Sequence, residues 1–158
     1  PRFKKAGAVA SPAPAVDSPA DAWLRLVGGD RAAEVLPIGE LLAAKARVIF
    51  GSRWPDGSLN PMETIHAFVN RGTDDDGGDV APSPIPLERV IDGMTSSAAY
   101  ASYDEQRKGT LKAGMLADLV VLSNDIFSAP ASRLRGAQVA VTIFDGRVVY
   151  RKGPKTTN

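Results

Sequence analysis

The pair Asp145-Gly146 sits between two apolar runs and restricts that part of the chain to an antiparallel hairpin. A two-residue turn between right-twisted strands needs positive φ at both central residues. Aspartate tolerates that conformation and glycine adopts it freely. Before the turn, Val139, Val141 and Ile143 alternate with Ala140, Thr142 and Phe144, the period of a strand. After it, Arg147-Val148-Val149-Tyr150 supplies the returning strand. Asp118 to Leu122 predicts a further short apolar strand, so the chain reads as β from Gly109 onward. The last eight residues are polar and are expected to fray.

Upstream the periodicity is different. A short strand is expected from Ala8 to Ser11, followed by an irregular loop around Pro12, Pro14 and Pro19. Ser18 caps an expected helix that Pro19 opens and that runs through Trp23 to Val27, where Gly28-Gly29 ends it. Ile38, Leu41, Leu42 and Lys45 follow i, i+3, i+4, i+7 spacing and predict an amphipathic helix from Ile38 to Ala46. Arg47-Val48-Ile49-Phe50 then reads as a short buried strand, followed by a loop with Ser52, Arg53, Trp54 and Pro55. Pro61 starts a predicted helix carrying Met62, Ile65, His66 and Val69 and stopping near Gly72. Thr73 to Pro86 holds four acidic residues, two glycines and three prolines, and predicts a surface loop. Leu87, Val90, Ile91, Met94 and Ala98 predict one helix from Leu87 to Ala101, with Pro86 at its start. The fold class is therefore α/β over the first two thirds, then a small antiparallel β piece.

Composition excludes several functions. A net charge of +1 with few aromatics provides no basic stripe for nucleic acid. No apolar run approaches the roughly 20 residues of a membrane-spanning helix. The chain has no cysteine, hence no disulfide framework and no thiolate metal site, which fits a cytoplasmic protein. No signal-peptide pattern opens the chain. Pro1 as first residue is compatible with processing, trimming or a fragment.

Three stretches in order resemble the C-terminal third of the amidohydrolase superfamily, in the branch with a Gly-Ser-Asp-x-Pro motif on its last barrel strand. They are Val48-Ile49-Phe50-Gly51-Ser52-Arg53-Trp54-Pro55, then Gly109-Thr110-Leu111-Lys112-Ala113-Gly114-Met115-Leu116-Ala117-Asp118-Leu119-Val120-Val121-Leu122, then Val141-Thr142-Ile143-Phe144-Asp145-Gly146-Arg147-Val148-Val149-Tyr150. The second is the most specific. It matches the family passage in which the chain leaves the barrel and joins a small β-sandwich. Arg2-Phe3 with Ala8-Val9-Ala10-Ser11 resembles the seventh-strand region. The resemblance implies the terminal part of a (β/α)8 TIM-type barrel over residues 1–107 (with the loop 72–86), a small antiparallel β-sandwich segment over 108–151, and a tail over 152–158.

The same resemblance implies zinc or another divalent metal in the parent family, activating water against a non-peptide C–N bond of a small amide-type substrate. A whole barrel needs about 250 residues, and this chain has room for its last two strands. The family's other ligands are histidines on earlier strands, whereas this sequence has one histidine, His66. The family's metal-touching general-base aspartate falls on Arg53 here. A guanidinium has no acceptor atom and stays protonated, so it neither ligates metal nor takes a proton. Arg53 marks either a pseudoenzyme or anion-binding site, or drift in a chain already unable to catalyse. No catalytic residue and no cofactor are therefore expected for this chain.

Other residues are weighed in the same way. Ser52, Arg53 and Trp54 are pocket-lining candidates, although Ser52 has no base in reach and Trp54 fits a loop aromatic packed on the barrel rim equally well. His66 is the sole imidazole a metal has to choose, and its alternative is a packed helix residue. Asp74, Asp75, Asp76 and Asp79 lack the order of a calcium loop and read as a solvated acidic loop. Asp118 is expected to be structural, and Gly109 and Gly114 to take positive φ. Two barrel strands leave unpaired edges, which predicts self-association or a partner chain that covers them. The functional expectation is a C-terminal fragment or degenerate copy of an amidohydrolase, inactive in isolation. The alternative is a non-catalytic binding module or split subunit.

Overall fold

In a computed structural model the residues described are 2–12, 37–52, 54–55, 57–70 and 84–153. The expected helix after Ser18 and the acidic loop of Asp74 to Asp79 lie outside them. A single helical turn, α1 (Arg2–Lys5), which the sequence reading did not foresee, leads into β1 (Val9–Ala10). β1 lies parallel to β2 (Arg47–Val48), with Val9 opposite Arg47 and Ala10 opposite Val48. Parallel strands need a crossover, and α2 (Ile38–Ala43) is part of it. The Ile49 N–H still donates to the Ala10 carbonyl at 2.9 Å, but the Phe50 N–H turns to the Gly93 carbonyl at 3.4 Å. The strand expected to reach Phe50 therefore ends at Val48, and the chain leaves its partner after the Ile49 bond.

α2 also ends before the expected Ala46. Lys45 takes φ 54, the Lys45 N–H donates to the Leu42 carbonyl, and the Ala46 N–H donates to that of Leu41, both at 2.9 Å. That paired bonding is a Schellman ending with lysine in the position that glycine usually fills, which hid the stop signal. α3 (Pro61–Val69) starts where expected: Asn60 Oδ1 accepts from the Met62 N–H at 3.0 Å, and proline occupies the first turn. It ends at Val69, three residues short of Gly72.

The helix expected over Leu87–Ala101 is two helices, α4 (Leu87–Met94) and α5 (Ser96–Ala101), broken at Thr95 with φ −121 and ψ −89. Two hydroxyls mark the break. Thr95 Oγ1 donates to the Ile91 carbonyl at 2.7 Å and Ser96 Oγ to the Asp92 carbonyl at 3.2 Å. Such back-bonding offers the carbonyls an alternative partner and bends helices.

The core lies between α2, β2, α3, α4 and a 3-10 helix (Ala131–Gly136). Val90, Ile38, Phe68 and Leu134 are buried most completely, and the Phe50 and Phe68 rings meet at 4.5 Å between centroids with a 57° tilt. Beyond it, β3 (Leu119–Leu122), β4 (Val139–Phe144) and β5 (Arg147–Arg151) form an antiparallel sheet in the order β3-β4-β5. Asp145 and Gly146 have φ 49 and 73, so the two-residue turn is as expected. The ladder persists into the expected tail, where the Lys152 N–H donates to the Ala140 carbonyl at 2.8 Å. Among the described residues this region is a single three-stranded sheet, and the parallel sheet has two strands. No described helix is long and apolar enough to cross a membrane.

Gly109 and Gly114 have φ 95 and 88, as expected. They differ in surroundings. A Cβ on Gly109 would stand 2.7 Å from the Ala99 Cβ and 3.0 Å from the Ser96 Cα, whereas one on Gly114 meets nothing within 4 Å. Gly109→Ala is expected to cost about 2–4 kcal/mol, from overpacking added to backbone strain. Gly114→Ala should cost about 1–2 kcal/mol, from strain alone. Urea titration of both variants checks this, and equal losses would refute the packing role of Gly109.

Candidate functional site

The loop after β2 carries the positions at which the sequence placed a degraded site. Ser52 is half-buried, and its Oγ accepts from the Trp54 N–H at 3.3 Å. The loop folds back tightly, since a Cβ on Gly57 would fall 2.0 Å from the Ser52 carbonyl oxygen. The Trp54 side chain is 62% exposed. Arg53, between them, lies outside the described residues. The structure thus joins Ser52 to Trp54 through one backbone-to-hydroxyl bond.

His66 is elsewhere, at 3% exposure on α3 among the buried Met62, Ile65 and Phe68. The packed-residue reading fits this position. A dication needs several oxygen or nitrogen donors converging from different elements. Among the described residues no group of three His, Cys, Asp or Glu side chains is arranged to hold a metal ion. The donor set described here does not fit the metal that the family resemblance implies.

Asp118 has a structural task. Its Oδ1 accepts from the Asp145 N–H at 2.8 Å, and the Gly146 N–H donates to the Ala117 carbonyl at 3.2 Å. The junction passage therefore holds the hairpin turn against the start of β3. Asn70 was not singled out from the sequence. It is 6% exposed, and its Nδ2 donates to the His66 carbonyl at 3.2 Å and to the Ala131 carbonyl at 3.0 Å. One amide thus ties the end of α3 to the 3-10 helix, a contact spanning 61 positions that no local pattern announces.

An open cleft of about 630 Å³ is lined by Asn124, Asp125, Ser128, Ala129, Pro130, Arg133 and Gly136, and includes neither Ser52 nor Trp54. Its carboxylate is already engaged. Asp125 Oδ2 accepts from Ser128 Oγ at 2.6 Å and Oδ1 from the Phe127 N–H at 2.9 Å. The Ser128 hydroxyl above all, then the Phe127 N–H, holds the Asp125 carboxyl below its ordinary 3.8. At the other end of the junction, a hydrogen bond from Lys108 (2.9 Å) lowers Asp104, with Arg107 adding to it.

Two outcomes follow for these carboxylates. A depressed carboxyl stabilises the fold fully above the unfolded value near 3.8 and loses that effect as pH falls through the lower folded value. Ser128→Ala should therefore raise the Asp125 titration midpoint and move this part of acid unfolding to higher pH, as read by carboxyl carbon resonances. Asp118→Ala should cost about 0.5–1.5 kcal/mol and accelerate amide exchange at Asp145 in particular. Unchanged exchange at Asp145 would show that the turn does not depend on the carboxylate.

A model for an amidohydrolase family matches residues 1–150. The chain is 32% identical over 144 residues to Protein LONG AFTER FAR-RED 3 of Arabidopsis thaliana, covering 83% of this chain and 23% of that protein. It is 28% identical over 125 residues to N-substituted formamide deformylase of Arthrobacter pascens, covering 75% and 22%. A 5-methylthioadenosine/S-adenosylhomocysteine deaminase of Caldanaerobacter subterraneus is 28% identical over 129 residues, covering 73% and 29%. The chain thus spans less than a third of each of these relatives. The crystal structure of an uncharacterized protein superposes with a TM-score of 0.57 at 20% identity, over 95% of this chain and 37% of the other. That likeness concerns the fold alone.

Proposed function

The chain belongs to the amidohydrolase family, and on that premise we propose that it is a C-terminal fragment or degenerate copy of a metal-dependent hydrolase of non-peptide C–N bonds, inactive by itself. One observation carries the reading: the sequence has a single histidine, and that residue is packed in the core of α3. Activating water at neutral pH calls for about three protein ligands around the metal with one position left open. Arg53 at the position of the family's general-base aspartate removes a further ligand and adds a positive charge beside it. In this reading β1 and β2 correspond to the last two strands of a TIM-type barrel, and β3 to β5 to part of the sandwich. The names of two relatives, a deformylase and a deaminase, support the C–N class for the parent activity. A cysteine-free composition fits a cytoplasmic setting.

A second reading is a split subunit that pairs with a chain supplying the rest of the barrel. Among the described residues the parallel sheet has two strands, and this favours it, because a barrel strand needs a paired neighbour on each side.

Metal content of the purified chain, expressed with added zinc, tests the first reading. The expected result is below about a tenth of an equivalent, with no hydrolysis of small amides. Retention of about one equivalent after dialysis would overturn the reading and make His66 part of a real site.

A further inference from the structure

We propose that residues 123–138, between β3 and β4, form a strap that locks the C-terminal sheet to the helical part, so that the two open as one unit. The strap starts and ends at one point. The Ser123 N–H donates to the Gln138 carbonyl at 2.7 Å, and the Gln138 N–H donates to Ser123 Oγ at 3.1 Å. Loops with joined ends are commonly packed by their own side chains. Here three side chains of the strap go elsewhere. Ile126, Leu134 and Ala137 are buried in the same core as Ile65, Phe68 and Val90 of the helical part.

Two polar ties hold the strap along α3. Arg135 Nε meets Glu63 Oε2 at 3.0 Å in the first turn of that helix. The Asn70 amide reaches the Ala131 carbonyl at 3.0 Å just past its last residue. The ties stand roughly 10 Å apart along the helix axis. Both members of the ion pair are partly exposed, so it contributes little. The buried apolar groups and the amide bond dominate. Within the strap, Asp125 accepts from the Phe127 N–H and from Ser128 Oγ, and the Arg133 N–H donates to the Pro130 carbonyl at 2.9 Å. Its turns are thus bonded locally, which leaves Ile126 and Leu134 for the core.

Coupling follows from where the strap sits in the chain. β3 runs directly into it and β4 directly out of it, and Leu122, the last residue of β3, packs against the same core. A small antiparallel sheet needs something to pack against for stability. Leu122 and the strap supply that attachment here. The helical core, in turn, has a gap where Ile126, Leu134 and Ala137 now lie if the strap lifts, and close-packed interiors do not tolerate such gaps. The boundary expected at residue 108 therefore separates two stretches of sequence that share one core. Neither functional reading enters into this coupling.

Native-state amide exchange of the full chain, followed by NMR over a series of low urea concentrations, tests it. In the wild type the slowest amides of α3 and of the β4–β5 ladder should merge into one isotherm. Leu134→Ala, outside every strand, should speed exchange in both sets by the same factor, roughly 30-fold or more. Arg135→Gln should speed both by about fivefold at most. In the reverse direction, Val141→Ala in β4 should speed α3 as much as it speeds β4. If Leu134→Ala does not fold, the wild-type isotherms and the two milder variants decide. The proposal is overturned by separate isotherms for α3 and the sheet in the wild type, or by any of these variants that speeds one set and leaves the other unchanged.

Discussion

Phe50 is the residue on which the first two thirds of the molecule depends. It follows β2, meets the ring of Phe68 on α3 at 4.5 Å, and lies where a Cβ on Gly93 of α4 would stand 2.2 Å from its ring. Three elements separated along the chain thus converge on one phenyl group. The close approach also brings the Gly93 carbonyl to the Phe50 N–H, at 3.4 Å, where the chain leaves its parallel partner. Interiors packed at crystal-like density transmit such constraints, so the direction in which the next loop emerges is set here. That loop carries Ser52 and Trp54.

A site at the end of a strand is only as good as the groups converging on it from other strands. The loop after β2 presents the Ser52 hydroxyl, which accepts from the Trp54 backbone N–H, and an exposed indole, and Arg53 stands in sequence between them. His66, the remaining nitrogen donor of interest, is committed to the core of α3. The chain therefore keeps the framework of a family whose chemistry depends on several ligands acting together, while the described part of it does not assemble a ligand set. The chain spans less than a third of each curated relative it matches.

The junction passage shows that a family sequence signature can have a structural task. Gly109 lets the chain pass against Ala99 and Ser96, and Asp118 holds the Asp145 N–H at 2.8 Å. Both tasks are structural. They orient the sheet against the helical part and fix its turn, and they are needed whether or not a metal is bound. The sheet they hold is apolar on one side and mixed on the other.

Local patterns determined much of this protein. Asp145-Gly146 dictated the hairpin because few residue pairs accept two successive positive φ values. Asn60-Pro61 dictated the start of α3 because the cap and the missing N–H are both local. The family itself was readable in the Gly109 to Leu122 passage. Tertiary structure decided the rest. The break at Thr95, the lysine-terminated end of α2 and the bridge from Asn70 to Ala131 each depend on where distant backbone groups come to lie. The same holds for His66: helical spacing put it on the apolar side, but only the packing of α3 made it a core residue. The physical reason is range. Turns and caps are satisfied within a few residues, whereas burial and long-range hydrogen bonds exist only after the elements have packed.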